Sequence, residues 1–252
     1  MDPFPTMTVL GTGVHLVDNE MVLDRIEEWI GEQEGGCRFV VVTGFHGLWV
    51  AHQDPDFKRI VAAADLFSPD GIAPVWIARL KGQPLNGRAT GPDLMELFFR
   101  RANRNGYRSF FLGDTPETLR ALQRSLEYRF PGHVVAGTLS PPFRQLSPEE
   151  DEEIVRTINQ SRPDVVWVGL GLPKQERWIY KHRERLNAPV AVGVGAAFKF
   201  SAGTINRPPE WVGRSGLEWV WRFAQEPGKL WRRDLIDGPR FLWHVMLEMT
   251  GV

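Results

Sequence analysis

The fold is decided by the stretch Asp164-Val-Val-Trp-Val-Gly-Leu-Gly-Leu-Pro-Lys-Gln-Glu-Arg-Trp178, in which a short β-branched apolar run breaks into glycines. This pattern is typical of a buried parallel strand that ends in a tight turn. A second stretch has the same form, Pro189-Val-Ala-Val-Gly-Val-Gly-Ala-Ala-Phe-Lys-Phe200. Both stretches indicate an α/β protein whose buried strands end in glycine-rich turns.

The residues after the first strand are suited to the start of a helix. Pro173 fits the first helical position, because its missing N–H costs nothing there. The free N–H groups of the first turn and the positive end of the helix dipole would then point back over the glycines. Such a helix start can hold a phosphate or pyrophosphate. The candidate substrate-binding positions of the two turns are Gly169, Gly171, Glu176, Gly193 and Gly195.

Strand and helix patterns alternate over most of the chain. Strands are predicted at 38–43, 66–68, 109–112, 134–138, 164–169 and 190–194, after a weak strand pair within 9–17. Helices are predicted at 18–33, 47–64, 71–80, 93–105, 116–129 and 147–161. The alternation predicts a Rossmann-like α/β fold, in which a mostly parallel sheet carries helices on both faces. We assign residues 1–206 to this α/β domain.

Residues 207–252 differ in character and predict a C-terminal helical appendage. The segment holds half of the ten tryptophans of the chain, interleaved with arginines and acids. One interpretation is an amphipathic helical unit whose indole rings lie at the headgroup level of a membrane. The other is that the tryptophans pack on the sheet or in the interface of a homo-oligomer.

Composition excludes several classes of protein. The formal net charge of −1, from 30 basic and 31 acidic residues, argues against a nucleic-acid binder. A single cysteine, Cys37, excludes an intrachain disulfide and fits a reducing compartment. No signal peptide and no run of about 18 apolar residues is visible, so we expect a cytoplasmic or peripheral protein.

Several polar residues follow predicted strands, where ligands bind in open α/β sheets. Asp70 lies between Pro69 and Gly71 and is either a general base or the cap of the next helix. Thr43 ends a strand, and His46 follows it closely. Arg88 precedes a glycine turn and could contact a phosphate.

Metal and cofactor motifs are weak. Asp54-Pro55-Asp56 has the form of a metal-binding DxD, but Asp54 is better explained as the cap of a turn that Pro55 opens. The six histidines are scattered, and no glycine pair completes Gly-x-Gly-x-x-Gly. We therefore expect no metal and no cofactor, and we disfavour an NAD- or S-adenosylmethionine-dependent enzyme.

Five segments occur in an order that resembles one family: Asp65 to Trp76, Arg88 to Met95, Phe111 to Gly113, Val166 to Glu176 and Gly193 to Phe198. They are followed by Gly216-Leu-Glu-Trp-Val-Trp-Arg222 and Gln225-Glu-Pro227. The chain thus resembles the WecG/TagA/CpsF family of bacterial glycosyltransferases from about Val9 to Arg233.

The resemblance implies an inverting, metal-independent transfer of a hexose or N-acetylhexosamine-type sugar from a UDP-sugar to a polyprenyl-pyrophosphate-linked saccharide. The family builds teichoic acid linkage units, capsules, exopolysaccharides and enterobacterial common antigen, peripheral on the inner face of the cell membrane. The resemblance also implies roles for individual residues. The catalytic aspartate of the family matches Asp70, and the family's substrate-binding positions match Thr43, Arg88, Gln175, Arg214 and Arg222.

The chain departs from the family pattern at two places. Phe45, followed by His46, stands where many members have asparagine, and Lys199 stands where many have an acid. His46 or Lys199 could therefore contact the donor or the acceptor, and the sugar is left open. A non-catalytic nucleotide-binding module at the membrane is the alternative from another class.

Overall fold

The computed structural model describes residues 4–32, 36–83, 85, 89–207, 209, 212 and 218–250. The strands are β1 Thr6–Val9, β2 Thr12–His15, β3 Arg38–Thr43, β4 Leu66–Pro69, β5 Arg108–Gly113, β6 Val134–Leu139, β7 Val165–Gly169 and β8 Val190–Gly193. The first nine helices are α1 Asn19–Gly31, α2 Phe45–Gln53, α3 Pro55–Ala62, α4 Ile72–Leu80, α5 Gly91–Asn105, α6 Pro116–Arg129, α7 Pro148–Ser161, α8 Lys174–His182 and α9 Ala197–Ser201. The C-terminal helices are α10 Glu218–Gln225, α11 Pro227–Arg232 and α12 Gly238–Thr250, with a π-helical turn at Arg233–Asp237.

Strands β3 to β8 form one parallel sheet in the order β4-β3-β8-β7-β5-β6, while β1 and β2 form a separate antiparallel pair. The six-stranded sheet confirms the predicted Rossmann-like α/β class. Because its strands are parallel, their carboxyl ends meet at one edge. The loops after β4, β3, β8 and β7 are therefore neighbours there, although they are far apart in the sequence.

Alternate residues of the central strands face two apolar cores, as expected for strands covered on both sides. Val41 and Val166 face the core beneath α2, α3, α4, α7 and α8. Val40 and Trp167 face the core beneath α1, α5, α6 and α9. Burial on both faces explains why the strand sequences are continuously apolar rather than alternating.

Side chains cap the starts of three helices, and Asp54 does so as the sequence predicts. Asp18 accepts a hydrogen bond from the Met21 N–H, and Asp54 accepts one from the Phe57 N–H. Ser147 forms a reciprocal capping box with Glu150. The single helix predicted at 47–64 is wrong, because the chain ends α2 at Gln53 and starts α3 at Pro55. A proline ring cannot continue the helix that precedes it, so the two helices are separate.

The C-terminal residues of the appendage pack on the α/β domain. Phe241 and Val245 of α12 are buried in the core beneath α2. The Glu248 carboxylate accepts a hydrogen bond from the Leu10 N–H and pairs with Lys81 at 3.0 Å. Trp231 and Trp243 remain 50% and 57% exposed, so the tryptophans are not all explained by packing on the domain.

A buried polar group lies at the amino-terminal ends of β5 and β6. A ring nitrogen of His133, Nε2, is 2.8 Å from the Ser109 hydroxyl, which also accepts from the Trp167 indole. The ring is enclosed by the phenylalanines Phe98, Phe99 and Phe111. Burial in these apolar surroundings lowers the pKa of His133 from 6.5 to about 4.

We predict that protonation of His133 destabilises the fold. The unfolded chain takes up this proton below pH 6.5 and the folded chain only near pH 4, so stability falls as the pH falls between these values. The expected loss from this group is about 2 kcal/mol between about pH 7 and pH 5. Urea unfolding of the wild type and of His133→Phe measures it. An equally steep fall in the variant would contradict the assignment.

Candidate active site

Asp70 lies at the carboxyl edge of the sheet, directly after β4. Strands β3 and β4 are in parallel register with Thr43 opposite Pro69. The Asp70 N–H donates to the Thr43 carbonyl at 3.0 Å, and the Gly71 N–H donates to the Ala89 carbonyl at 3.1 Å. Gly71 holds the N-cap position of α4, with a φ of 81°. Asp70 thus precedes the N-cap instead of occupying it, and the capping alternative loses its support.

Two glycines let the loop after β3 approach its neighbours. A Cβ on Gly44 would lie closer than 3.0 Å to the Asp70 carbonyl oxygen. A Cβ on Gly47 would likewise overlap the Thr43 side chain. Thr43 is buried, and its side chain faces the first turn of α2. Gly44 thus lets the loop after β3 lie against the Asp70 backbone, and Gly47 leaves room for the Thr43 side chain.

Gln175 joins the turns after β7 and β8. The side chain is 2% exposed, and its Oε1 accepts a hydrogen bond from the Gly195 N–H at 3.0 Å. Its Nε2 donates to Glu176 Oε1 at 2.8 Å. A Cβ on Gly193 would lie 3.0 Å from Gln175 Nε2. The glycine of β8 therefore makes room for this amide.

Glu176 is fully buried beside Gln175. Its Oε2 has no hydrogen-bond partner among the described residues. Burial raises the pKa of Glu176 to about 7, against the opposing effects of the Gln175 amide and its own N–H. The carboxyl group is accordingly partly protonated near neutral pH. A buried carboxyl group with one oxygen that lacks a hydrogen-bond partner is unusual and points to a role other than stability.

The turn after β7 differs from the prediction in detail. Pro173 lies just before α8, which begins at Lys174. The Gln175 N–H donates to the Gly171 carbonyl at 3.1 Å and so is not free for a ligand. A Cβ on Gly169 would overlap the Phe198 ring. Gly169 thus makes room for Phe198 of α9 at the end of β7.

The start of α5 links Asp70 to the turn after β8. Ala89 forms a parallel bridge with Asp70, and Thr90 caps α5 by accepting from the Asp93 N–H at 3.2 Å. A Cβ on Gly91 would lie 3.4 Å from the Val194 carbonyl oxygen. Backbone contacts thus run from Asp70, after β4, through the start of α5 to Val194, after β8.

His46 lies under the appendage. Burial is the main cause that lowers its pKa, and the positive charge of Arg233 adds to the effect. The ring nitrogen Nδ1 is buried and has no partner among the described residues. Phe45, the departure from the family pattern, packs on Phe241 with 5.8 Å between ring centroids. The contact between Phe45 and Phe241 thus joins α2 to α12.

Lys199 and Arg222 lie where the appendage meets α9. Lys199 Nζ is 3.9 Å from Glu226 Oε1, and the Arg222 guanidinium lies 5.7 Å from the centre of the Phe200 ring. Glu226 was not among the sequence-predicted site residues. Its charge, opposite to that of Lys199, was the available signal. The candidate residues Arg88 and Arg214 lie outside the described residues.

The described part of the chain contains no group of three or more His, Cys, Asp and Glu side chains arranged to hold a metal ion. Asp54 of the DxD sequence caps α3 and pairs with Arg177 at 2.6 Å.

Gly44 and Gly47, which allow the close approach of the loop after β3, were absent from the sequence-predicted site. Their position directly after the strand predicted at 38–43 was the available signal.

The chain is similar to known proteins over nearly its whole length. The model of the family described as "Glycosyl transferase WecG/TagA/CpsF family" matches residues 7–251. A Bacillus spizizenii protein named N-acetylglucosaminyldiphosphoundecaprenol N-acetyl-beta-D-mannosaminyltransferase is 31% identical, over 91% of this chain and 87% of its own length. Proteins of the same name from Bacillus subtilis and Staphylococcus aureus are 26% and 27% identical, over 90% and 94% of this chain and 85% and 91% of their own.

We predict that Gly44→Ala destabilises the protein, because the new Cβ must displace the Asp70 backbone. Overpacking of this kind costs about 1–3 kcal/mol of unfolding free energy. Gly13→Ala is the matched control, since a Cβ at that exposed position would have nothing within 4 Å. Urea unfolding compares the two variants, and equal stabilities would refute the close-approach argument.

Proposed function

The chain belongs to the WecG/TagA/CpsF family of glycosyl transferases, and we propose that it transfers a hexose or N-acetylhexosamine-type sugar from a UDP-sugar to a polyprenyl-pyrophosphate-linked saccharide. The observation that carries the proposal is the similarity, over about nine-tenths of the chain, to enzymes named for transfer to N-acetylglucosaminyldiphosphoundecaprenol. Membership in an enzyme family disfavours the non-catalytic module. We place the reaction in the synthesis of cell-surface polysaccharides.

Asp70 is the proposed general base of an inverting transfer. Inversion requires the acceptor hydroxyl to attack the anomeric carbon from the face opposite to UDP while one base removes its proton. A single carboxylate is sufficient for that step. The support is its position at the edge of the sheet beside Thr43.

The departing UDP requires stabilisation of its growing negative charge. We propose that arginines and helix starts at the carboxyl edge supply it without a metal. Arg222 and Arg233 are the candidate arginines of the appendage. Arg222 lies over the Phe200 ring, and the charge of Arg233 contributes to the lowered pKa of His46. The family resemblance adds Arg88 and Arg214, and a guanidinium can bind phosphate oxygens through two parallel hydrogen bonds.

The appendage is the proposed membrane contact. Within the described residues, no helix combines the length and apolar character needed to cross a bilayer. Exposed apolar side chains instead lie along α12, at Leu242, Trp243, Met246 and Met249. Such a surface can enter the headgroup region of a membrane, which is where a polyprenyl-linked acceptor is found. We therefore propose a peripheral location on the inner face of the membrane.

The first test is Asp70→Asn. Loss of a general base lowers turnover by about 10²–10⁴-fold. Mass spectrometry of the products from a panel of UDP-sugars, with a short-chain polyprenyl-pyrophosphate-linked saccharide as acceptor, measures the transfer and identifies the sugar. UDP should still raise the thermal unfolding temperature of the variant, because binding to the folded state does not need the base. Near-normal turnover would exclude Asp70 as the base.

The second test concerns the membrane. Trp243→Ser combined with Met246→Ser removes two exposed apolar side chains from α12. We expect vesicle binding to weaken by at least about tenfold, since each buried large apolar side chain contributes roughly 1.5–3 kcal/mol. Sedimentation with phosphatidylglycerol-containing vesicles measures it. Tyr128→Ser, at a 90% exposed position on α6, is the control. Unchanged binding of the double variant would place the membrane contact elsewhere.

A further inference from the structure

Glu176 is a buried carboxyl group that the proposed transfer does not use. It is 0% exposed, and its Oε1 accepts from the Gln175 amide at 2.8 Å. The second oxygen, Oε2, is buried without a partner among the described residues. Keeping such a group costs stability, because a desolvated polar atom without a hydrogen bond is unfavourable. A benefit elsewhere in the site would account for the cost.

The carboxyl group determines which way the Gln175 amide faces. An amide has one acceptor and one donor end, and the Gly195 N–H needs an acceptor. With Nε2 donating to Glu176, Oε1 is directed to Gly195, where the hydrogen bond is 3.0 Å long. The opposite orientation would place two donors against each other. Glu176 thus selects the orientation in which Gln175 holds the turn after β8.

That turn supports the segment that carries Asp70. The Val194 N–H donates to the Val168 carbonyl at 3.0 Å, and the Val194 carbonyl oxygen lies against Gly91. Gly91 begins α5 directly after Ala89 and Thr90, and Ala89 is bridged to Asp70. Two backbone contacts, Val194 with Gly91 and Ala89 with Asp70, thus connect the turn after β8 to the proposed base.

We propose that Glu176 is a positioning residue for the transfer reaction, which orients Gln175 so that the turn at Gly195 and the start of α5 hold Asp70 in place. This inference rests on the proposed function of the site. The group acts as a hydrogen-bond acceptor, so its charge is not required. A protonated carboxyl retains an acceptor oxygen, which is consistent with the pKa of Glu176 near 7.

Two replacements of similar size separate the proposal from a structural role. Glu176→Gln keeps an acceptor oxygen for Gln175 and should retain kcat within about threefold of the wild type. Glu176→Met removes the acceptor and should lower kcat by roughly 10–100-fold, because small misplacements of reacting groups are costly. Its thermal unfolding temperature should change little, since Met removes the unpartnered buried Oε2 but leaves Gln175 Nε2 without its acceptor, two effects of opposite sign. KM for the UDP-sugar should change less than kcat.

Amide hydrogen exchange of residues 193–196 supplies a readout that does not depend on turnover. Exchange should be faster in Glu176→Met than in the wild type and Glu176→Gln. Glu127→Met, at an exposed position on α6, is the control for loss of a carboxylate. Normal kcat in Glu176→Met, equal losses in Met and Gln variants, or a loss of kcat matched by unfolding would each overturn the proposal. Absence of transfer by the wild type would instead refute the proposed function, and the exchange experiment would still report on Glu176.

Discussion

The site depends on backbone turns that approach more closely than a residue with a Cβ would allow. A Cβ on Gly44 would overlap the Asp70 carbonyl, and one on Gly113 would overlap the Gly169 carbonyl group. Parallel strands bring these turns to one edge, and the glycines let them touch. Direct backbone contact leaves little freedom for the residues between the turns. These contacts hold the backbone of Asp70 in place directly after the short strand β4.

Some of the buried polar atoms that have no hydrogen-bond partner among the described residues belong to residues near the same edge. Ser68 Oγ, His46 Nδ1 and Glu176 Oε2 are all buried without a hydrogen bond among the described residues. Ser68 lies two residues before Asp70, and His46 lies three after Thr43. Folded proteins satisfy nearly all such groups, and exceptions concentrate where function outweighs stability. These three atoms lie near the proposed site, whereas other unpartnered buried atoms, such as Thr12 Oγ1 and His133 Nδ1, lie elsewhere among the described residues.

The appendage has two different faces. Phe241 and Val245 enter the core beneath α2, while Trp243 and Met246 on the same helix are exposed. The Phe45–Phe241 contact connects this helix to the loop that follows Thr43. Phe45 stands where the family resemblance leads us to expect asparagine, and this chain uses the residue for packing. The same helix thus joins the proposed membrane surface to the proposed catalytic edge.

The sequence by itself determined the features that depend on neighbouring residues. Strand β3 and helices α5, α6 and α7 lie within a few residues of their predicted bounds, because apolar periodicity and caps such as Ser147 act locally. It also selected Asp70 and Thr43 as members of one edge. Only the tertiary structure decided the strand order and the partners of buried polar groups, Gly195 with Gln175 and Lys199 with Glu226. Those pairings join residues about 20 or more positions apart in the chain, and no local pattern encodes which distant group will fill a given space.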